Sequence, residues 1–98
     1  MGEKFLVLWR LELARLSPEA VRGVTRMQEY GARLENEGKV TSRYHIVGSH
    51  GGAWIYSVDS HEELDRQLAL APVYNFASYQ VFPLAEMRGD ATVLGSES

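Results

Sequence analysis

Residues 37–86 read EGKVTSRYHIVGSHGGAWIYSVDSHEELDRQLALAPVYNFASYQVFPLAE, and this half of the chain decides the fold. Strand, glycine-rich turn, strand, capped helix and strand follow one another without a long linker. Val40 to Ser49 alternates as a strand: Val40, Ser42, Tyr44, Ile46 and Gly48 fall on one face, with Thr41, Arg43, His45 and Val47 on the other. Ser49-His50-Gly51-Gly52 reads as the turn of a hairpin, because a glycine pair between two strand patterns supplies the tight reversal. Ala53 to Asp59 is then the returning strand, with Trp54, Tyr56 and Val58 on a shared face. Ser60 followed three residues later by Glu63 is a capping box, the clearest local signal in the chain. The helix it opens turns Leu64, Leu68 and Ala71 inward and ends at Pro72. After the short connection Val73-Tyr74-Asn75, Phe76 to Leu84 forms a last strand.

Working outward to the N-terminus, Lys4 to Leu13 reads as another strand. Phe5, Val7, Trp9, Leu11 and Leu13 make one wholly apolar face, and Leu6, Leu8, Arg10 and Glu12 make a mixed one. Ser17-Pro18-Glu19 starts a helix: serine caps free amides, proline suits the first helical position, and an acid favours the positive dipole end. Val21, Val24, Met27, Gly31 and Leu34 recur at helical spacing, and Gly38 stops the helix. The order is β-α-β-β-α-β. This is an α+β, ferredoxin-like architecture, with a four-stranded antiparallel sheet and both helices on one face. The uncovered face carries apolar side chains, which predicts a homodimer packed sheet to sheet, or a larger ring of dimers, as in the dimeric α/β-barrel proteins.

Ninety-eight residues make one domain, expected over 1–87, with a Gly/Ser-rich tail or swapped arm over 88–98. Ten Lys and Arg against thirteen Asp and Glu give a net charge of −3, with the basic residues scattered, which argues against a nucleic-acid partner. The absence of cysteine excludes disulfides, a thiolate nucleophile and thiolate metal sites. No apolar run reaches the length of a membrane span, and Phe5 to Trp9 is too short for a signal segment, so the expected location is cytoplasmic.

The pattern resembles the muconolactone δ-isomerase family. Arg26 and Tyr30, Gly38-Lys39, Ile46-Val47-Gly48, Val58-Asp59-Ser60, Glu62-Glu63-Leu64-Asp65, Ala71-Pro72 and Val81-Phe82-Pro83-Leu84-Ala85 carry the resemblance, over roughly residues 5 to 87. The family's isomerases have an acid and a lysine just after the arginine equivalent to Arg26, where this chain has Met27 and Gln28. They have Trp-Arg in place of Tyr44-His45, and no glycine pair followed by tryptophan like Gly51-Gly52 and Trp54. The chain is therefore similar to a divergent branch. The resemblance implies proton-transfer isomerisation of a small hydrophobic or aromatic-derived lactone or cyclic ketone. Two alternatives stay open: cofactor-independent oxygenation or cyclisation of an aromatic polyketide, and a non-catalytic ligand-binding or oxygenase-helper role.

Moving a double bond by proton transfer needs a base that titrates near neutrality, a donor for enolate oxygen and a clamp for negative charge. His45 is the candidate base, because imidazole titrates in that range. Arg43 shares its face and is the candidate anion holder; Tyr30 completes the proposed catalytic set. Arg26, His50, Tyr44, Tyr56 and Trp54 are candidate substrate-binding residues. The tyrosines compete with ordinary core or interface packing, and Arg26 with a solvated helix surface. His61, in the first turn of the second helix, reads as a surface residue. Three histidines without cysteine or clustered carboxylates make no zinc site. No phosphate loop, dinucleotide fingerprint or nucleophile elbow appears, and no cofactor is expected.

Overall fold

The computed structural model describes residues 2–87. The expected tail over 88–98 lies outside the described residues. The elements are β1 (Glu3–Leu11), α1 (Pro18–Asn36), β2 (Val40–His45), β3 (Gly51–Val58), α2 (His61–Ala69) and β4 (Ala77–Leu84), with single 3-10 turns at Leu13–Arg15 and Tyr74–Phe76. The four strands form one sheet in the order β2-β3-β1-β4, every pair antiparallel. This is the ferredoxin-like α+β fold expected from the order of elements.

One face of the sheet and both helices share a single core. Phe5, Val7 and Trp9 of β1 stand opposite Tyr56, Trp54 and Gly52 of β3, and this face meets Met27, Tyr30 and Leu34 of α1 and Leu64 and Leu68 of α2. Leu34 is among the largest fully buried side chains, and its truncation to alanine should cost about 2–5 kcal/mol. The opposite face carries Leu6, Leu8 and Ile55, half-buried, with Phe82 and Leu84 exposed beside them on β4. Cross-strand registers join these residues into one patch: Leu6 pairs with both Ile55 and Phe82. Pro83 sits on β4, an edge strand, where the missing amide breaks no ladder on the open side.

The helix ends follow their sequence signals. Ser17 accepts a hydrogen bond from the Ala20 amide at 3.1 Å, with Pro18 as the first helical residue. At the other end Gly38 takes φ +77°, its amide bonds the Glu35 carbonyl and the Lys39 amide bonds that of Leu34, which is a Schellman closure. In α2 the Ser60 hydroxyl accepts from the Glu63 amide at 3.1 Å. The Glu63 carboxylate reaches one residue further back than a capping box requires, to the Asp59 amide at 2.8 Å.

Several features differ from the sequence reading. β1 stops at Leu11, where one last in-register bond from the Glu12 amide to the Phe76 carbonyl is followed by a 3-10 turn; Leu13 is consequently 74% exposed rather than in the core. On α1 Val21 is exposed and Tyr30 takes its place in the buried stripe. The hairpin reverses at Ile46–Ser49, not at the glycine pair: the Ser49 amide bonds the Ile46 carbonyl at 3.1 Å and Gly48 supplies the positive φ, +84°. Gly51 and Gly52 instead open β3.

Candidate active site

A register shift between Val40 and Ser42 determines which side chains of β2 face α1. Val40 pairs with Tyr56, but Ser42 already pairs with Ile55, so one residue of β2 is left over. From the bulge onward the alternation is inverted. Arg43 stands opposite Trp54 and His45 opposite Gly52, on the helix side, while Ser42 and Tyr44 stand opposite Ile55 and Ala53. Without the bulge, Val40 and Arg43 would lie on opposite faces.

Here β2, β3 and α1 enclose an open cleft of about 330 Å³. Arg43, His45, His50 and Tyr44 border it, Trp9, Trp54, Val24 and Met27 supply apolar and aromatic wall, and Gln28 and Glu35 descend from α1. The guanidinium of Arg43 is held from several directions. Its Nη2 donates to Glu35 Oε1 at 3.0 Å, its Nη1 reaches the Gln28 carbonyl at 3.4 Å, and its carbon lies 5.4 Å from the Trp54 ring centre. Space for it comes from Gly31, where a Cβ would fall 2.6 Å from Arg43 Cδ. Its Nε is buried and has no partner. The positive charge is thus fixed in place.

Tyr44 contributes chiefly through its backbone, since the strand alternation sends its ring to the other face, where it is exposed. His50 is an exposed side chain on a tethered backbone: its carbonyl accepts the Leu11 amide at 2.9 Å. Trp9 Nε1 is also buried without a partner; the third such atom among the described residues, the Tyr79 hydroxyl, lies outside the cleft lining.

The structure gathers Arg43, His45, His50, Tyr44 and Trp54, and leaves three other sequence candidates elsewhere. The Tyr30 hydroxyl donates to the Gln67 carbonyl, with Gln67 Oε1 at 3.2 Å, deep between the two helices. Burial raises its pKa to about 12, so it remains a neutral donor. Tyr56 is 2% exposed beneath the helices, and burial likewise raises its pKa. Arg26 is exposed on α1, outside the cleft lining. Several cleft residues were not site candidates from the sequence, Trp9, Gln28, Glu35 and Gly52 among them. Gln28, Gly31 and Glu35 recur at helical spacing, and a small residue between two polar ones was the available signal. No group of three or more His, Cys, Asp or Glu side chains gathers as a metal site among the described residues. Nor, among them, is any helix long and apolar enough to cross a membrane.

Comparison with known proteins agrees with this architecture. The sequence profile of muconolactone delta-isomerase matches residues 4–90. The Muconolactone Delta-isomerase of Cupriavidus pinatubonensis is 34% identical over 61 residues, which is 62% of this chain and 66% of that protein, a little under two thirds of its length. A crystal structure of muconolactone isomerase superposes with a TM-score of 0.75 at 21% identity, covering 89% of this chain and 93% of the other; at that identity it speaks for the fold. With the profile running through nearly all of the described residues, the chain belongs to the muconolactone delta-isomerase family.

Proposed function

We propose that this protein is an isomerase that shifts a carbon–carbon double bond in a small cyclic lactone or ketone by proton transfer. The observation that carries the reading is the placement of Arg43 and His45 on one strand face, inside an aromatic-walled cleft, in a chain of this family. His45 removes a proton from the saturated carbon at the far end of the conjugated system. The C–H electron pair moves into the extended enolate, and the proton returns at the carbon beside the carbonyl. No atom is gained or lost, and no cofactor is required. Arg43, already oriented by Glu35, supplies the positive charge that holds the substrate's anionic group. Trp54 and Met27 cover the apolar ring, and His50 and Tyr44 form the rim. Tyr30, Tyr56 and Arg26 have no part in the step as drawn.

The same reading includes a homodimer that buries the patch of Leu6, Leu8, Ile55, Phe82 and Leu84. Phe82 is 45% exposed in the single chain, and a contiguous apolar patch of this kind favours a partner. Light scattering on wild type and Phe82→Asp tests that part: a dimer is expected for the first, and a monomer for the second.

The test of the chemistry is proton NMR of muconolactone with the protein in D₂O. Deuterium entering the ring, with migration of the double bond, is the expected result, and His45→Ala should abolish it. Binding without exchange would favour the non-catalytic reading. Oxygen consumption with an electron-rich phenol would favour the oxygenase.

A further inference from the structure

Among the described residues, the titratable side chains of the cleft lining are Glu35, Arg43, Tyr44, His45 and His50. Glu35 and Arg43 hold each other at 3.0 Å. Strand alternation sends the Tyr44 ring to the other face of the sheet. His45 and His50 are left. They come from opposite sides of the hairpin, and the strand registers place them close together. His45 stands opposite Gly52. The pairing of β1 with β3 runs one step past Arg10 and Gly51, because the Leu11 amide bonds the His50 carbonyl at 2.9 Å. His50 is therefore two positions along from Gly52 in the same register and shares its face. That makes His45 and His50 diagonal neighbours across the strand pair. Such neighbours stand about 7–8 Å apart, within reach of aromatic side chains. The span suits a small ring held between two imidazoles. Both side chains are also exposed, so each can exchange its proton with water.

We infer that His50 is a second catalytic residue, which delivers a proton to one carbon of the substrate while His45 takes a proton from another. This rests on the proposed isomerase reading and divides its proton transfer between two groups. The step starts with His45 neutral and His50 protonated. The C–H bond at the far carbon breaks to His45, and its electron pair enters the extended enolate. A new C–H bond forms at the carbon beside the carbonyl, with the proton from His50. The step ends with His45 protonated and His50 neutral, and water resets both. Imidazole serves either role near neutral pH. The substrate keeps its composition, but the hydrogen it gains comes from solvent and not from the one it lost.

The test follows muconolactone in D₂O by proton NMR across pH, with wild type, His50→Gln and His50→Ala. Neutral His45 and protonated His50 are needed together, so wild-type kcat/KM should rise and then fall as pH increases. Arg43 and Glu35, the charged side chains that share the cleft, are paired with each other. His50→Gln should lower kcat by about 10²-fold, leave KM within about twofold and remove the alkaline fall. The tie of His50 to β1 is through its backbone, so the melting temperature should stay near that of the wild type. In His50→Ala, added imidazole should restore turnover in proportion to its protonated form, which a merely structural defect would not allow. The first product released by the wild type should carry deuterium in every molecule. Unchanged turnover in His50→Gln, a change in KM alone, an alkaline fall that persists, no rescue by imidazole, or protium retained in the wild-type product would each overturn the inference. The failures separate. Isomerisation abolished by His45→Ala and untouched by His50→Gln would leave the isomerase reading and remove the second proton carrier. No isomerisation by the wild type would remove both.

Discussion

Arg43 lies under α1 in the cleft and Tyr30 sits on α1 itself in the closed core, and their polar atoms are treated in opposite ways. Tyr30 spends its hydroxyl on Gln67, between α1 and α2, where no solvent reaches. Arg43 is braced by Glu35, Gln28 and Trp54, yet keeps Nε without a partner. Two residues apart on β3, the contrast repeats. Tyr56 packs wholly into the core, while Trp54 turns its ring towards the cleft. A core closes its polar accounts on itself because an unpaired buried group costs about 1–3 kcal/mol. A binding site leaves such groups open and recovers the cost when a ligand arrives. Of the three buried polar atoms without a partner among the described residues, two, Arg43 Nε and Trp9 Nε1, belong to residues that line the cleft, and the Tyr79 hydroxyl is the exception.

The sharpest way to break that division is to remove His45. Loss of a general base reduces turnover by roughly 10²–10⁴-fold. His45 is exposed at the end of β2, so His45→Ala should leave the melting temperature near that of the wild type. A large fall in stability would place His45 among the structural residues and close the gap between the two regions. Arg43→Lys comes next. Lysine keeps the charge but loses the planar fork that meets Glu35 and the ligand together. Losing a hydrogen bond to a charged group costs about 1.5–3 kcal/mol, so KM for an anionic lactone should rise by roughly tenfold or more. An effect on the turnover number alone would argue against an anchoring role.

How much of this was legible in the sequence differs between the two regions for a physical reason. Caps, stripes and strand alternation are written in adjacent residues, and Ser17-Pro18, Gly38 and Ser60…Glu63 are used as their local chemistry dictates. The cleft depends on long-range register. Arg43 and His45 reach the helix side only because a bulge inverts β2, and no residue type near Thr41 announces it. Their common face was readable, since residues two apart always share one, but which face was not. The glycine pair misled for a related reason. Its turn-like composition reflects the room needed beside β1 and the two indoles, whereas the reversal uses Gly48. Tyr30 was a candidate because the chemistry needs a donor for enolate oxygen and a phenol hydroxyl can supply one. Only packing of α2 against α1 shows where its hydroxyl is spent.

Tyr30→Phe tests the closed side. It should leave exchange into muconolactone unchanged and destabilise the fold by about 1 kcal/mol, measured by urea unfolding, as one hydrogen bond to Gln67 is lost. It should also alter behaviour in alkali. A phenol whose pKa is raised by folding supports stability fully below its ordinary value near 10 and loses that support as pH climbs through the raised value, here about 12. Wild-type stability should therefore fall over that window, and Tyr30→Phe should flatten the fall. Loss of activity without loss of stability would move Tyr30 back towards the chemistry.

The smallest effect belongs to Glu63, far from the cleft. The Asp59 amide, then Lys39, hold its carboxyl below the usual glutamate range. A depressed pKa means that the ionised form is favoured by folding. Its contribution is therefore complete above the unfolded value near 4.5, and it disappears as pH falls through the lower folded value. Glu63→Gln should lower the melting temperature slightly at pH 7, and the gap from wild type should close in acid below that folded value. Turnover at pH 7 should not change, because α2 touches the core through Leu64 and Leu68 and contributes no residue to the cleft. A change in turnover with so small a change in stability would mean that the two regions are mechanically coupled through β3, the strand that carries both Tyr56 and Trp54.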